Sequence, residues 1–208
     1  CRLAGVFSSG WVKPEADADG AYKGMAEAVK SVVRELPKSD KLPLYIEVWN
    51  EPNLSLEWSG NANLPEYARF FVEVSRAIRS LGDSRVRILN GAFALSPEAT
   101  EECCKADPEF INAFDVWASH PYPQTLPPEY NIHDGTARLK EHTIDAYLLE
   151  TAVLEKYGRK DVKVMITETG YALGEDLFLD SEGYPAIDEF SRADYILRAY
   201  RDYWEKWP

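Results

Sequence analysis

The chain has 208 residues, 45% of them apolar, enough for a sizeable core. Its formal charge is −12, from 23 basic and 35 acidic side chains. That balance argues against nucleic acids and anionic membranes as partners, because their phosphates demand Lys and Arg. No run approaches the ~18 apolar residues of a membrane span. Cys1, Cys103 and Cys104, with His120, His133 and His142, show neither CxxC nor metal-ligand spacing. No disulfide framework, zinc site or cofactor is expected.

In chain order, short apolar runs alternate with helical periodicity, the pattern of βαβ units around a parallel sheet. A first strand is predicted over Arg2–Phe7, ending in Ser8-Ser9-Gly10-Trp11. A helix follows over about 21–36, with Tyr22, Met25, Val29, Val32 and Val33 on one face. The second strand spans Leu44–Asn50. The next helix spans about 65–81, starting at Pro65 and burying Tyr67, Phe70, Phe71, Val74 and Ile78.

A third strand, Val86–Leu89, leads to Asn90-Gly91. Short helices are predicted over 98–104 and 108–114, and a fourth strand over Phe114–Ser119 leads to His120-Pro121-Tyr122-Pro123. A longer helix over about 136–157, a fifth strand over 162–167, a loop over 172–189 and a last helix over about 191–207 complete the chain. Five βα units with no linker suit one α/β domain over 1–208. It is either a doubly wound sheet or part of a (β/α)8 TIM barrel, which needs roughly 250 residues when complete.

Two carboxylates stand where buried strands give way to loops. Glu51 lies in Trp49-Asn50-Glu51-Pro52, and Glu168 follows Val162-Lys163-Val164-Met165-Ile166-Thr167. Such strand ends are where a parallel barrel builds its chemistry. Two carboxylates so placed are the parts for cleaving a glycosidic bond. A glutamate that merely caps a loop is the plainer reading of each one alone; the pair favours chemistry.

Asn50 offers an amide that both donates and accepts, as a sugar hydroxyl demands. Thr167 and Thr169 are placed to donate to Glu168 and keep it ionised. His120 and Tyr122, at the intervening strand end, are candidates to bond the nucleophile or a sugar hydroxyl. Trp11, Trp58 and Tyr171 are candidates to stack on a sugar face, with ordinary packing as the alternative. Glu47 and Trp49 share the strand parity of Glu51, and Glu47 is read as structural, facing Arg2.

These segments resemble clan A glycoside hydrolases. Ile46-Glu47-Val48-Trp49-Asn50-Glu51-Pro52-Asn53-Leu54 looks like the acid/base segment at barrel strand four. Ser119-His120-Pro121-Tyr122 is similar to the His-x-Tyr of strand six, and Ile166-Thr167-Glu168-Thr169-Gly170 looks like the nucleophile segment at strand seven. The wording is most similar to family 39 and to cellulase-like family 5.

The resemblance implies a fragment spanning strands three to seven, without the strand-two arginine and strand-eight tryptophan. It also implies a carbohydrate substrate and a retaining mechanism, with Glu168 as nucleophile, Glu51 as acid/base, Asn50 on the sugar 2-hydroxyl, and Tyr122 and His120 orienting Glu168. A non-catalytic carbohydrate-binding barrel is the alternative. No signal region is visible; a secreted or periplasmic setting is the expectation, and the oligomeric state is open.

Overall fold

The computed structural model describes residues 1–3, 6–7, 10–94, 96–133, 141–173 and 184–207, with backbone alone for 2–11. Two compact units form. One comprises Cys1–Ser119 and Thr151–Met165, the other His120–Glu150 and Ile166–Pro208.

In the first unit, β1 (Arg2–Leu3) is followed by β2 (Val6–Phe7) and β3 (Gly10–Trp11), which pair antiparallel. Both β1 and β2 lie within the expected strand over 2–7, of which residues 4–5 fall outside the described residues. β1 joins the main sheet, parallel to β4 (Leu44–Val48), with Arg2 opposite Glu47. On its other side β4 pairs parallel with β5 (Val86–Asn90). The sheet edge continues through a parallel bridge between Leu89 and Val116 to β6 (Trp117–Ser119). β6 pairs in turn with β7 (Val164–Ile166), the Trp117 amide donating to Lys163 O at 2.8 Å.

β6 is shorter than the expected 114–119 because Asp115 serves β5 differently. Its amide donates to Ile88 O, and its carboxylate accepts from the Ile88 amide at 2.8 Å. Asn90 closes the same seam with its side chain, donating to Ala118 O (3.1 Å) and accepting from Ala118 N (2.8 Å).

Helices α1 (Lys23–Glu35) and α2 (Leu64–Arg79) pack on each other. Asn63 caps α2 by accepting from the Glu66 amide, and a proline stands in the first turn, where no N–H is missed. The expected stripe of α2 is buried in full: Tyr67, Phe70, Phe71, Val74 and Ile78. These rings meet Phe93, Phe110, Phe114 and Trp117 in one aromatic core. Each fully buried large side chain contributes about 1.5–3 kcal/mol before entropy is counted.

On α1 the expected face is kept in part: Tyr22 and Val33 are buried and Val29 packs against the core. Ala26 and Val33 are buried while Met25 and Val32 are exposed. Tyr22, Ala26 and Val33 keep helical spacing (i, i+4, i+11), and Met25 and Val32 stand one residue off that line.

α3 (Pro97–Ala106), capped by Ser96, and α4 (Phe110–Ala113) follow β5. Cys103 and Cys104 lie buried as free thiols. Burial pushes the Cys103 thiol well up, and it pushes that of Cys104 to about 11 with help from Glu101, so neither is a reactive thiolate.

The second unit is built from the segments that leave the C-terminal ends of β6 and β7. They run side by side: Gln124 and Tyr171 form a parallel bridge, and the Ala172 amide donates to Gln124 O at 2.8 Å. α5 (Tyr147–Lys156) starts in this unit. Of the expected helix over 136–157, residues 136–140 lie outside the described residues, and Glu141–Ala146 precede α5 as turns.

α6 (Glu189–Arg198), capped by Asp188, continues as a π-helical turn (Ala199–Tyr203) and a 3-10 turn (Trp204–Lys206) instead of one helix to 207. Its core gathers Ile144, Tyr171 and Ala199 with Tyr195, Tyr203, Trp204 and Trp207. No helix among the described residues is long and apolar enough to cross a membrane.

Candidate active site

β4 ends at Val48, and the next residues are backbone outliers. Trp49 has φ +82° and Glu51 φ +39°, the left-handed region that side chains other than Gly rarely occupy. Each such residue costs about 1–3 kcal/mol and persists only where its surroundings over-determine it. The shared parity expected for Glu47, Trp49 and Glu51 therefore stops at Val48, and the chain turns out of the sheet.

Several contacts within the first unit fix the turn. The Glu51 amide donates to Ala92 O at 2.9 Å, and the Leu54 amide donates back to Glu51 O at 2.9 Å. Asn53 and Ala94 exchange a reciprocal pair, side-chain amide to backbone, both at 2.9 Å. The Trp49 indole N–H donates to Glu57 O at 2.9 Å.

Gly91 lies against the turn so closely that a Cβ there would sit 2.6 Å from Val48 O and 2.8 Å from Trp49 C. The fully buried Tyr67 hydroxyl accepts from the Gly91 amide (2.6 Å) and donates to Val48 O (3.3 Å). Asn50 is thereby buried at 7% exposure, its Oδ1 unpaired among the described residues. Glu51 is half-buried. Glu47 is buried, and its carboxylate accepts from the Ala92 amide at 3.4 Å, in keeping with a structural role.

The second unit holds Glu168 in another way. Its side chain is 31% exposed beside a fully buried His120, whose Nδ1 lies 3.8 Å from Glu168 Oε2. The Tyr122 hydroxyl donates to the same oxygen at 2.8 Å. The His120 Nε2 meets Thr167 Oγ1 at 3.0 Å, and Thr169 Oγ1 donates to Pro121 O at 2.7 Å. The threonines expected to donate to the carboxylate thus meet His120 and the backbone, and Tyr122 is a donor to the carboxylate. A hydrogen bond given to a carboxylate favours its anionic form.

The aromatic candidates fare differently. Trp58 is wholly buried, its edge against Trp49 and Tyr67 and its N–H on Glu66, so it offers no face to a sugar. The sequence placed it in a loop, but the short 3-10 turn Ser55–Glu57 tucks it under α2. Tyr171 is also buried, edge-on to Tyr195, and burial pushes its phenol above the ordinary value. The Trp11 side chain lies outside the described residues. Tyr67, Gly91 and Glu66 were not singled out as site residues. Asn90-Gly91 at a strand end was the one visible signal among them.

No protein-family model matches the chain, and no curated protein does. Solved structures do. A GH39 beta-xylosidase from Caulobacter crescentus is 18% identical with a TM-score of 0.49, over 76% of this chain and 32% of that one. A monomeric beta-xylosidase from Caulobacter crescentus CB15 is 17% identical with a TM-score of 0.50, over the same shares. A GH26 beta-mannanase from Bacteroides ovatus is 18% identical with a TM-score of 0.49, over 85% of this chain and 56% of that one. The chain therefore spans about a third of the length of the xylosidases. The likeness to the monomeric xylosidase is one of fold. These structures are glycoside hydrolases, the class that the strand-end motifs resemble.

Proposed function

We propose that the chain is part of a retaining glycoside hydrolase acting on β-linked glycosides, its strands forming part of a (β/α)8 barrel. The observation that carries this reading is the Glu168 carboxylate held by the Tyr122 hydroxyl at 2.8 Å over buried His120. Glu168 attacks the anomeric carbon while Glu51 protonates the leaving oxygen. Glu51 then takes a proton from water as that water displaces Glu168. Such chemistry requires the two carboxyl groups about 5–5.5 Å apart. The buried Asn50 amide, with an unpaired acceptor, suits the sugar 2-hydroxyl, where hydrogen bonds strengthen in the transition state.

The test is hydrolysis of aryl β-glycosides by the full-length protein against Glu168→Ala and Glu51→Ala. A loss on the order of 10³ or more in Glu168→Ala is expected. A 2-fluoro glycoside should leave a covalent adduct on the peptide bearing Glu168. Unchanged turnover in both variants overturns the proposal. Oligosaccharide binding with no turnover by the unaltered protein would favour a non-catalytic binding barrel.

A further inference from the structure

We infer that Glu66 is a positioning residue for the Glu51 acid/base, acting through Trp58 and Trp49; this rests on the catalytic reading above. Glu66 stands in the first turn of α2, its side chain 14% exposed. It receives donors from three separate stretches of chain. Lys13 Nζ approaches both oxygens at 2.7 and 2.8 Å, Tyr22 Oη donates at 2.7 Å, and Trp58 Nε1 donates at 3.1 Å. Helix α2 does not need such a group, since Asn63 already caps it. A largely buried carboxylate is retained at a desolvation cost that only good donors offset.

Its hold on Trp58 reaches the strained turn by two routes. The Trp58 ring meets the Trp49 ring edge-on, centroids 5.3 Å apart and planes at 75°. The turn Ser55–Glu57, which delivers Trp58, also supplies the Glu57 carbonyl that anchors the Trp49 indole. Trp49 sits at φ +82° and Glu51, two residues on, at φ +39°. Both depend on surrounding contacts to stay there. Freeing Trp58 leaves a buried indole N–H in search of a partner, and the ring that backs Trp49 shifts with it. The Asn50 amide and Glu51 carboxyl then lose their aim, though neither touches Glu66.

A positioning role is separated from plain stability by leaving-group dependence. Acid catalysis by Glu51 matters for a poor leaving group and little for a dinitrophenolate. In the full-length protein, Glu66→Gln and Trp58→Phe should lose about tenfold more kcat/KM on alkyl or phenyl glycosides than on dinitrophenyl glycosides, a part of the barrier set by proton transfer. Glu51→Ala should show the same bias, larger, and azide should restore its turnover.

Equal losses across leaving groups, or no loss, in both variants would overturn the role of Glu66. If Glu51→Ala itself shows no bias, the acid/base assignment fails instead. Trp58→Phe decides the matter if Glu66→Gln does not fold.

Discussion

At the end of β4 the backbone sets where the carboxylate goes, whereas beyond β6 and β7 side chains do. Glu51 follows a tryptophan forced to φ +82° and is itself at +39°. The turn is wedged between Gly91 and an aromatic core. Glu168 lies on a segment that runs beside Pro121–Gln124; it accepts from the Tyr122 hydroxyl and sits next to the His120 ring. Backbone positioning makes a site sensitive to distant packing. Side-chain positioning makes it sensitive to single atoms nearby.

The two glycines give the sharpest contrast. Gly91→Ala should destabilise the first unit by about 3 kcal/mol or more, because the new methyl meets backbone, which cannot step aside. Gly170→Ala, whose methyl would meet only the Tyr122 ring at 3.8 Å, should stay within about 1 kcal/mol. Urea unfolding measures both, and equal losses would dissolve the distinction.

Tyr122→Phe comes next. Losing a donor to a charged acceptor costs about 1.5–3 kcal/mol, so kcat on aryl glycosides should fall roughly tenfold to a hundredfold, with little change in unfolding midpoint. A normal kcat would mean that Glu168 is held by something else.

The smallest effect is in acid. Burial pushes the Glu66 carboxyl up, but donors from Lys13, Tyr22 and Trp58 together outweigh it and hold the group below its ordinary value of 4.5. A depressed folded value adds stability that is present above the ordinary one and lost as pH falls through the folded one. Below pH 4.5 the unaltered protein should therefore lose stability more steeply than Glu66→Gln. Parallel acid limbs would remove Glu66 from the account.

Much of the frame was legible in the residues. The stripe Tyr67, Phe70, Phe71, Val74 and Ile78 carries helical period and large rings, and all five are buried. Glu51 and Glu168 were visible as charges closing apolar runs. The conformation at Trp49 was not, because a non-glycine residue at positive φ is imposed by long-range contacts and leaves no local trace. Trp58 stayed open for the same reason: a tryptophan six residues past a proline reads equally as a stacking or a packing ring until Glu66 and the rings of α2 are brought to it. The pairing of β2 with β3 and the exposure of Met25 and Val32 on α1 likewise depend on neighbours distant in sequence.

Asn90 and Gly91 bear on how the protein ages. In an Asn-Gly pair the glycine nitrogen readily attacks the side-chain amide, and the asparagine becomes aspartate or isoaspartate. Here the Gly91 nitrogen is engaged by the Tyr67 hydroxyl, and the Asn90 amide is clamped at both ends by Ala118. The folded chain is shielded, so damage accrues during unfolding excursions, when chemical modification turns a reversible opening into permanent loss. An aspartate left at position 90 would face the Ala118 carbonyl with an acceptor in place of a donor. Shelf life would then follow how often the β5–β6 seam opens.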